Sequence, residues 1–246
     1  MNNIRGVGRN KPYLDLTNYI DLKSYDALLP EIYKGLTTAR HLSVDSFHTT
    51  RPNSGNPIGF KAVYEAYKEL HKLPEDHPLR KSAEGLDHNQ LTTYLKYAMG
   101  GYDLYFKLVL FEDCRHEIIL TETANHFPGL MEWILDLKIK NIFEAIECAG
   151  FFLLEAGGIP LEHRDPAPPG KSTDDVPEFI HIKASLDRPF FLVDPETREK
   201  VHINTRVSWW NEQDWHGGDP VLKPTFALRV DGIFTDQFRE KIFQNA

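Results

Sequence analysis

Cysteine is almost absent, with Cys114 and Cys148 the only two in 246 residues. They form no Cys-x-x-Cys unit and no framework of bridges, so a disulfide scaffold is excluded, a reducing compartment is suited and both are expected as buried thiols. Basic residues are outnumbered, 28 Lys and Arg against 36 Asp and Glu, for a formal net charge of −8. Binding to a nucleic-acid backbone needs a clustered excess of Lys and Arg, so a nucleic-acid partner is not expected, although a local groove could still be basic. No apolar run approaches the roughly 20 residues that span a bilayer, and no secretory leader pattern is recognisable. No membrane partner is expected, the expected location is cytoplasmic, and the oligomeric state is not legible. Internal repeats and low-complexity tracts are missing as well.

What is present divides into two textures. Residues 1–100 read as a polar, glycine-bearing arm, MNNIRGVGRNKP, followed by a helical lobe. The lobe's clearest stretches are KAVYEAYKEL and HNQLTTYLKYAMG, broken at RPNSGNP and LPEDHP. The arm has little to bury and is expected to be loose, with no assigned function. Residues 101–246 are dominated by short apolar segments separated by turn signals: YDLYFKLVL, AGFFLLEAGG, EFIHIKAS, RPFFLVDPETREKVHI, TRVSWWN and KPTFALRVDG. Closely spaced strands of this kind specify an all-β sandwich or barrel. Within RPFFLVDPETREKVHI, the polar DPETREK stretch predicts a hairpin loop. FPGLMEWILDLKI interrupts the pattern, with Leu130, Trp133, Ile134 and Leu137 at the spacing of a helix packed on a sheet. The expected fold class is α+β: a jelly roll carrying an N-terminal helical lobe.

One constellation carries chemistry. His163-Arg164-Asp165 follows a predicted strand and an Ala-Gly-Gly turn, then runs into Pro-Ala-Pro-Pro-Gly, which cannot continue a strand. The triplet therefore falls at a barrel mouth, where ligands one residue apart can point the same way. His216 lies beyond an aromatic strand and a polar turn, VSWWNEQDWHGG. Together the three would form a two-histidine, one-carboxylate face, which leaves open coordination positions and suits Fe(II). His202, in EKVHINT, competes for the second imidazole position. Further along, alternation in KPTFALRVDG puts Phe226, Leu228 and Val230 on one face and Thr225, Ala227 and Arg229 on the other. A guanidinium between small neighbours inside a barrel is suited to binding a carboxylate bidentately.

These segments, from FPGLMEWI through FFLLEAGGIPLEHRDP, FIHI, FFLV and VSWWNEQDWHGG to a final strand ending in VDG, resemble the aspartyl/asparaginyl β-hydroxylase branch of the Fe(II)/2-oxoglutarate oxygenases. The resemblance covers about residues 126–235. It implies a double-stranded β-helix, cupin-like fold, Fe(II) held by His163, Asp165 and His216, and 2-oxoglutarate and O2 as cosubstrates. It also brings His181 to the cosubstrate. The chain departs from the family pattern twice. Where the family commonly carries Arg-x-His, this sequence reads Phe179-Ile180-His181. The family's final-strand arginine stands nearer the distal histidine, about at Thr225 or Phe226. Arg229 is the expected carboxylate anchor, with Arg206, Arg188 and Lys223 as the other basic residues open for that role.

The implied activity is hydroxylation of an unactivated C–H bond of an amino acid, an amino-acid derivative or a peptide residue, with 2-oxoglutarate converted to succinate and CO2. A small-molecule or peptide substrate is thus the expected partner. The alternative from a different class is a non-catalytic jelly-roll binding module, or a cupin-like protein using Zn(II) or Mn(II).

Overall fold

The computed structural model describes residues 3–39, 105–113, 118–154, 162, 164–165, 172 and 174–244. The helices expected over residues 61–70 and 88–100 lie outside the described residues, so the N-terminal lobe is described only as far as residue 39. In chain order the elements are β1 (Tyr13–Asp15), α1 (Leu22–Ala27), α2 (Leu29–Ala39), β2 (Tyr105–Asp113), β3 (Ile118–Leu120), α3 (Pro128–Ile139), β4 (Phe143–Leu154), β5 (Glu178–Lys183), β6 (Phe191–Val193), β7 (Lys200–His202), β8 (Val207–Trp210), β9 (Trp215–Gly217), β10 (Thr225–Phe234) and α4 (Asp236–Gln244). The strands form a seven-stranded sheet, β1-β8-β5-β10-β4-β2-β3, and a three-stranded sheet, β7-β6-β9, each antiparallel throughout.

Both faces of the large sheet are covered, and they differ in chemistry. On β10 the predicted apolar set, Phe226, Leu228 and Val230, is at most 2% exposed and faces the helices. Phe226 meets Tyr33 of α2 and Phe151 of β4 edge to face, and Phe151 in turn meets Phe127 at the start of α3. Trp209 turns to the same side, edge-on to Phe234 and to Phe243 of α4. The opposite face looks toward the small sheet. There Trp210 meets Phe190, His181 and Phe179, with ring centroids 4.6, 4.8 and 4.6 Å apart, and Phe190 lies 5.8 Å from His216. The fold is α+β, a double-stranded β-helix whose two sheets enclose an aromatic-walled interior while helices seal the outer face of the larger one.

Helix α3 matches its predicted pattern: Leu130, Trp133, Ile134 and Leu137 are all buried. Its N-terminus has Pro128 in the first turn and no cap of its own. The first N–H groups of a helix have no internal partner, and here Glu31 of α2 supplies one. Its carboxylate accepts from Gly129 N at 3.1 Å and Leu130 N at 2.9 Å. A negative charge at this end also complements the helix dipole. Glu31→Ala is expected to cost about 1 kcal/mol, read as a fall in the thermal midpoint of roughly 2–4 °C for a chain of this size; an unchanged midpoint would show that the cap contributes nothing.

The hairpin predicted around DPETREK forms as β6 and β7, with Leu192 opposite Val201. Asp194 folds its loop by accepting the N–H groups of Glu196 and Thr197 at 2.9 and 3.0 Å. Two elements were not legible. β1 is a three-residue edge strand whose partner, β8, is nearly 200 residues away. α4 is mostly polar and buries only Phe238 and Ile242. Its sequence signal is Thr235, whose hydroxyl caps Phe238 N at 3.1 Å ahead of that i,i+4 pair. The N-terminal arm also differs from the loose segment expected. Its backbone N–H groups at Asn3, Arg5 and Gly6 donate to buried or half-buried carboxylates of the barrel.

Candidate metal and cosubstrate site

His216 sits in β9 of the small sheet, directly opposite Leu192 of β6. Its Nδ1 lies 2.9 Å from the carbonyl oxygen of Asp214. A carbonyl can only accept, so Nδ1 carries the proton and Nε2 keeps its lone pair. That lone pair is on the side of Asp165, whose Oδ2 is 4.0 Å from Nε2. Two ligand atoms bonded at about 2.1 Å to one ion on adjacent corners of an octahedron stand about 3 Å apart, so the pair lies within about 1 Å of the spacing a shared cation would need. His163, the third expected ligand, lies outside the described residues. Among the described residues no group of three or more His, Cys, Asp or Glu is placed to hold a metal.

The segment presenting Asp165 is tied to the loop before β9. Asp165 N donates to Glu212 O at 2.9 Å. Ahead of the motif, Glu162 is in an ion pair with Arg198. Glu212 is buried, which raises its carboxyl pKa even though the nearby Arg229 guanidinium pulls it down.

Arg229 has the inward parity predicted, and the register sets it beside His181 on β5 and Gly150 on β4. The guanidinium lies 3.9 Å above the Phe179 ring. Its charge is already shared: Nε donates to Asp231 at 2.7 Å and Nη2 to Glu212 at 2.5 Å. Burial works against that charge, but Asp231 and Glu212 more than offset it, and the guanidinium is held firmly protonated. An additional carboxylate here would meet two acids already in place.

Two other basic residues lie inside the barrel. Lys183, 2% exposed, follows His181 by two positions on the same face, roughly 7 Å along the strand. Its Nζ donates to Ile203 O at 2.6 Å. Arg188 is equally buried and donates from Nη1 to Phe152 O at 2.7 Å. Burial first, and the Arg188 charge second, push the Lys183 ammonium down to about 8. His181 stays neutral: burial, reinforced by Arg188, Lys183 and Arg229, drives its pKa well below the usual imidazole value. The other basic candidates point elsewhere. Arg206 forms a two-pronged pair with Asp26 at 2.9 and 2.8 Å, and Lys223 is an exposed partner of Asp187. His202, the competing ligand, is likewise at the surface, 3.3 Å from Asp219.

Three polar atoms on this inner face have no hydrogen-bond partner among the described residues: His181 Nδ1, Ser208 Oγ and Trp210 Nε1. Ser208 is the cross-strand neighbour of His181, and Trp210 touches its ring. A buried polar atom left unpaired costs about 1–3 kcal/mol, so these three atoms, gathered around His181, would gain from a polar guest able to pair with them. Ser208 and Lys183 were missed from the sequence, where Trp210 reads as a core aromatic beside the site. Each reads as an ordinary strand residue, and only the register of β5 against β8 and β10 brings them together.

No protein-family model matches the chain, and no curated protein matches it by sequence. Among solved structures it is similar to a prolyl hydroxylase in complex with a hypoxia inducible factor oxygen degradation domain peptide fragment, from Trichoplax adhaerens: 13% identity over 86% of this chain and 95% of that one, TM-score 0.36. A 2OG-Fe(II) oxygenase family oxidoreductase from Burkholderia pseudomallei has 11% identity over 69% of this chain and 88% of its own, TM-score 0.34. A cupin domain from Bordetella pertussis has 13% identity over 36% of this chain and 81% of its own, TM-score 0.25. At this distance, function has to be read from the chain's own side chains.

Proposed function

We propose that this chain is a non-haem Fe(II), 2-oxoglutarate-dependent dioxygenase that hydroxylates an unactivated C–H bond of an amino acid, an amino-acid derivative or a peptide residue. The observation that carries the reading is the polarity of the barrel interior. A carboxylate and an imidazole face one another at 4.0 Å, and beyond them lie a neutral histidine with an unpaired ring nitrogen and a lysine–arginine pair.

In this reading His163, Asp165 and His216 hold the metal, and Asp214 O fixes the His216 tautomer. Lys183 and Arg188 receive the distal carboxylate of 2-oxoglutarate by charge-assisted hydrogen bonds. His181 Nδ1 meets a polar atom of the same guest. Arg229 takes a supporting role, gripping Glu212 and through its backbone the Asp165 segment. Phe190, Phe179 and Trp210 wall off water, which strengthens every charge interaction inside. When bound, Fe(II) and 2-oxoglutarate would supply the oxidising power, with one oxygen atom of O2 ending in succinate and the other in the hydroxylated product.

Anaerobic addition of Fe(II) and 2-oxoglutarate is expected to produce a weak visible charge-transfer band. In air, a screen of amino-acid and peptide pools by mass spectrometry should find a gain of one oxygen atom that depends on 2-oxoglutarate and is matched by succinate. Neither band nor succinate would turn the assignment to the binding module.

A further inference from the structure

The N-terminal arm closes over the same two elements that position His216. At one end Asn3 donates from its backbone N and from Nδ2 to Asp194, at 2.6 and 3.3 Å, and Asp194 directly follows β6. At the other end Arg5 N and Gly6 N donate to the two carboxylate oxygens of Asp214 at 2.9 and 2.7 Å. Both anchors stand at one end of the β6–β9 pairing, one step past Val193 opposite Trp215 and two past Leu192 opposite His216. Asp214 is 6% exposed. It takes the arm on its side chain and the His216 ring, at 2.9 Å, on its backbone carbonyl. Arg5 adds a contact to Gln213, whose Nε2 donates to Asp175 O at 2.8 Å.

The arm is shaped for this position. Gly6 has φ +67, in the left-handed region that only glycine enters freely. A Cβ there would sit 2.0 Å from Lys11 O, the atom that accepts Val7 N in the arm's own turn. Val7 is buried at 5% exposure, and Arg9 fastens the far side of the turn to Phe243 O at 2.8 Å. A buried carboxylate needs its hydrogen bonds, and among the described residues Asp214 draws both of its side-chain N–H partners from the arm.

We propose that this arm is a positioning element of the metal centre, with Asp214 and Gly6 as its positioning residues. The arm satisfies the Asp214 carboxylate, the loop of residues 211–214 is thereby fixed, and the carbonyl of Asp214 is held where it orients the His216 ring toward Asp165. The inference rests on the metal reading of Asp165 and His216 given above. Partners that orient a ligand typically change metal affinity by about 10- to 100-fold when lost.

The test is an anaerobic Co(II) titration of the full chain, read by the cobalt absorption bands, for wild type, Asp214→Asn, Gly6→Ala and Arg9→Ala. Asp214→Asn keeps the backbone carbonyl that His216 uses and weakens only the grip on the arm. Both Asp214→Asn and Gly6→Ala are expected to raise the Co(II) dissociation constant by about 10- to 100-fold. Arg9→Ala, which loosens the arm only at its far side and leaves both Asp214 contacts in place, is expected to raise it less than either. Denaturant unfolding of the metal-free proteins separates this from a structural role: wild-type Co(II) affinity in a destabilised Asp214→Asn or Gly6→Ala protein would overturn the proposal. Should Gly6→Ala fail to fold, Asp214→Asn decides alone. A wild-type protein that binds no Co(II) would remove the metal reading, and the proposal with it.

Discussion

Replacing His216 by alanine is expected to abolish the visible band formed with Fe(II) and 2-oxoglutarate and to weaken metal binding by more than roughly 100-fold, because losing an outer partner alone costs about 10- to 100-fold. The ring projects from β9 between the sheets, is 5% exposed and has its proton committed to Asp214 O. Among the described residues its ring meets Phe190 and Trp210, neither of which offers an imidazole. The buried ring also packs against Phe190 and Trp210, so denaturant unfolding of the metal-free variant is read alongside to separate lost packing from a lost ligand. The check is a titration followed by absorption and by calorimetry. A band of undiminished intensity in His216→Ala would sink the assignment of this residue as a ligand.

Lys183→Met is expected to lower the affinity for 2-oxoglutarate by about 10- to 100-fold while leaving metal binding intact, from the roughly 1.5–3 kcal/mol of a hydrogen bond to a charged group. The same substitution removes a buried ammonium, which is favourable, and leaves Ile203 O without that donor, which is not; the two effects oppose each other and the fold should survive. Wild type should also show a pH signature. Lys183 has its pKa pushed from 10.5 to about 8, so in the empty site this amine is charged below about 8 and neutral above, beside an Arg188 that stays charged. A bound carboxylate favours the charged form, and the dissociation constant of 2-oxoglutarate should therefore climb as pH rises from about 8 toward 10.5. Stability has the opposite slope. Between those two values the unfolded chain holds a proton that the folded chain has released, so the metal-free protein gains stability with rising pH. Isothermal titration across pH 7–10 checks both proteins. A flat profile in wild type, or an equal slope in Lys183→Met, would move the anchor away from Lys183.

The apolar framework was legible because it is written in local periodicity. On β10 the alternation of Phe226, Leu228 and Val230 with Ala227 and Arg229 survives intact, since one face meets helices and the other meets the barrel interior. Helix α3 was legible for the corresponding reason at a period of 3.6. β1 escaped because three residues carry almost no periodicity, and α4 because its polar majority masks a two-residue apolar contact. In the candidate site, Asp165 and His216 were named from a motif and its spacing, and they face each other. The carboxylate anchor expected at Arg229 rested on strand parity and small neighbours, which set the face of the side chain but not which acids meet it there; Glu212 and Asp231 share the guanidinium.

From the sequence alone came the alternation of β-strands, the helix that covers them and the donor atoms suited to iron, because side-chain type and spacing along the chain suffice to state them. Tertiary structure alone decided which charges share the interior and which reach the surface. Lys183 and Arg188 are sealed in while Arg206 and Lys223 pair outside, and Gly6 meets a carboxylate 208 positions away. Electrostatic pairing depends on distance in space and on burial, and a linear order of residues contains neither until the sheets close.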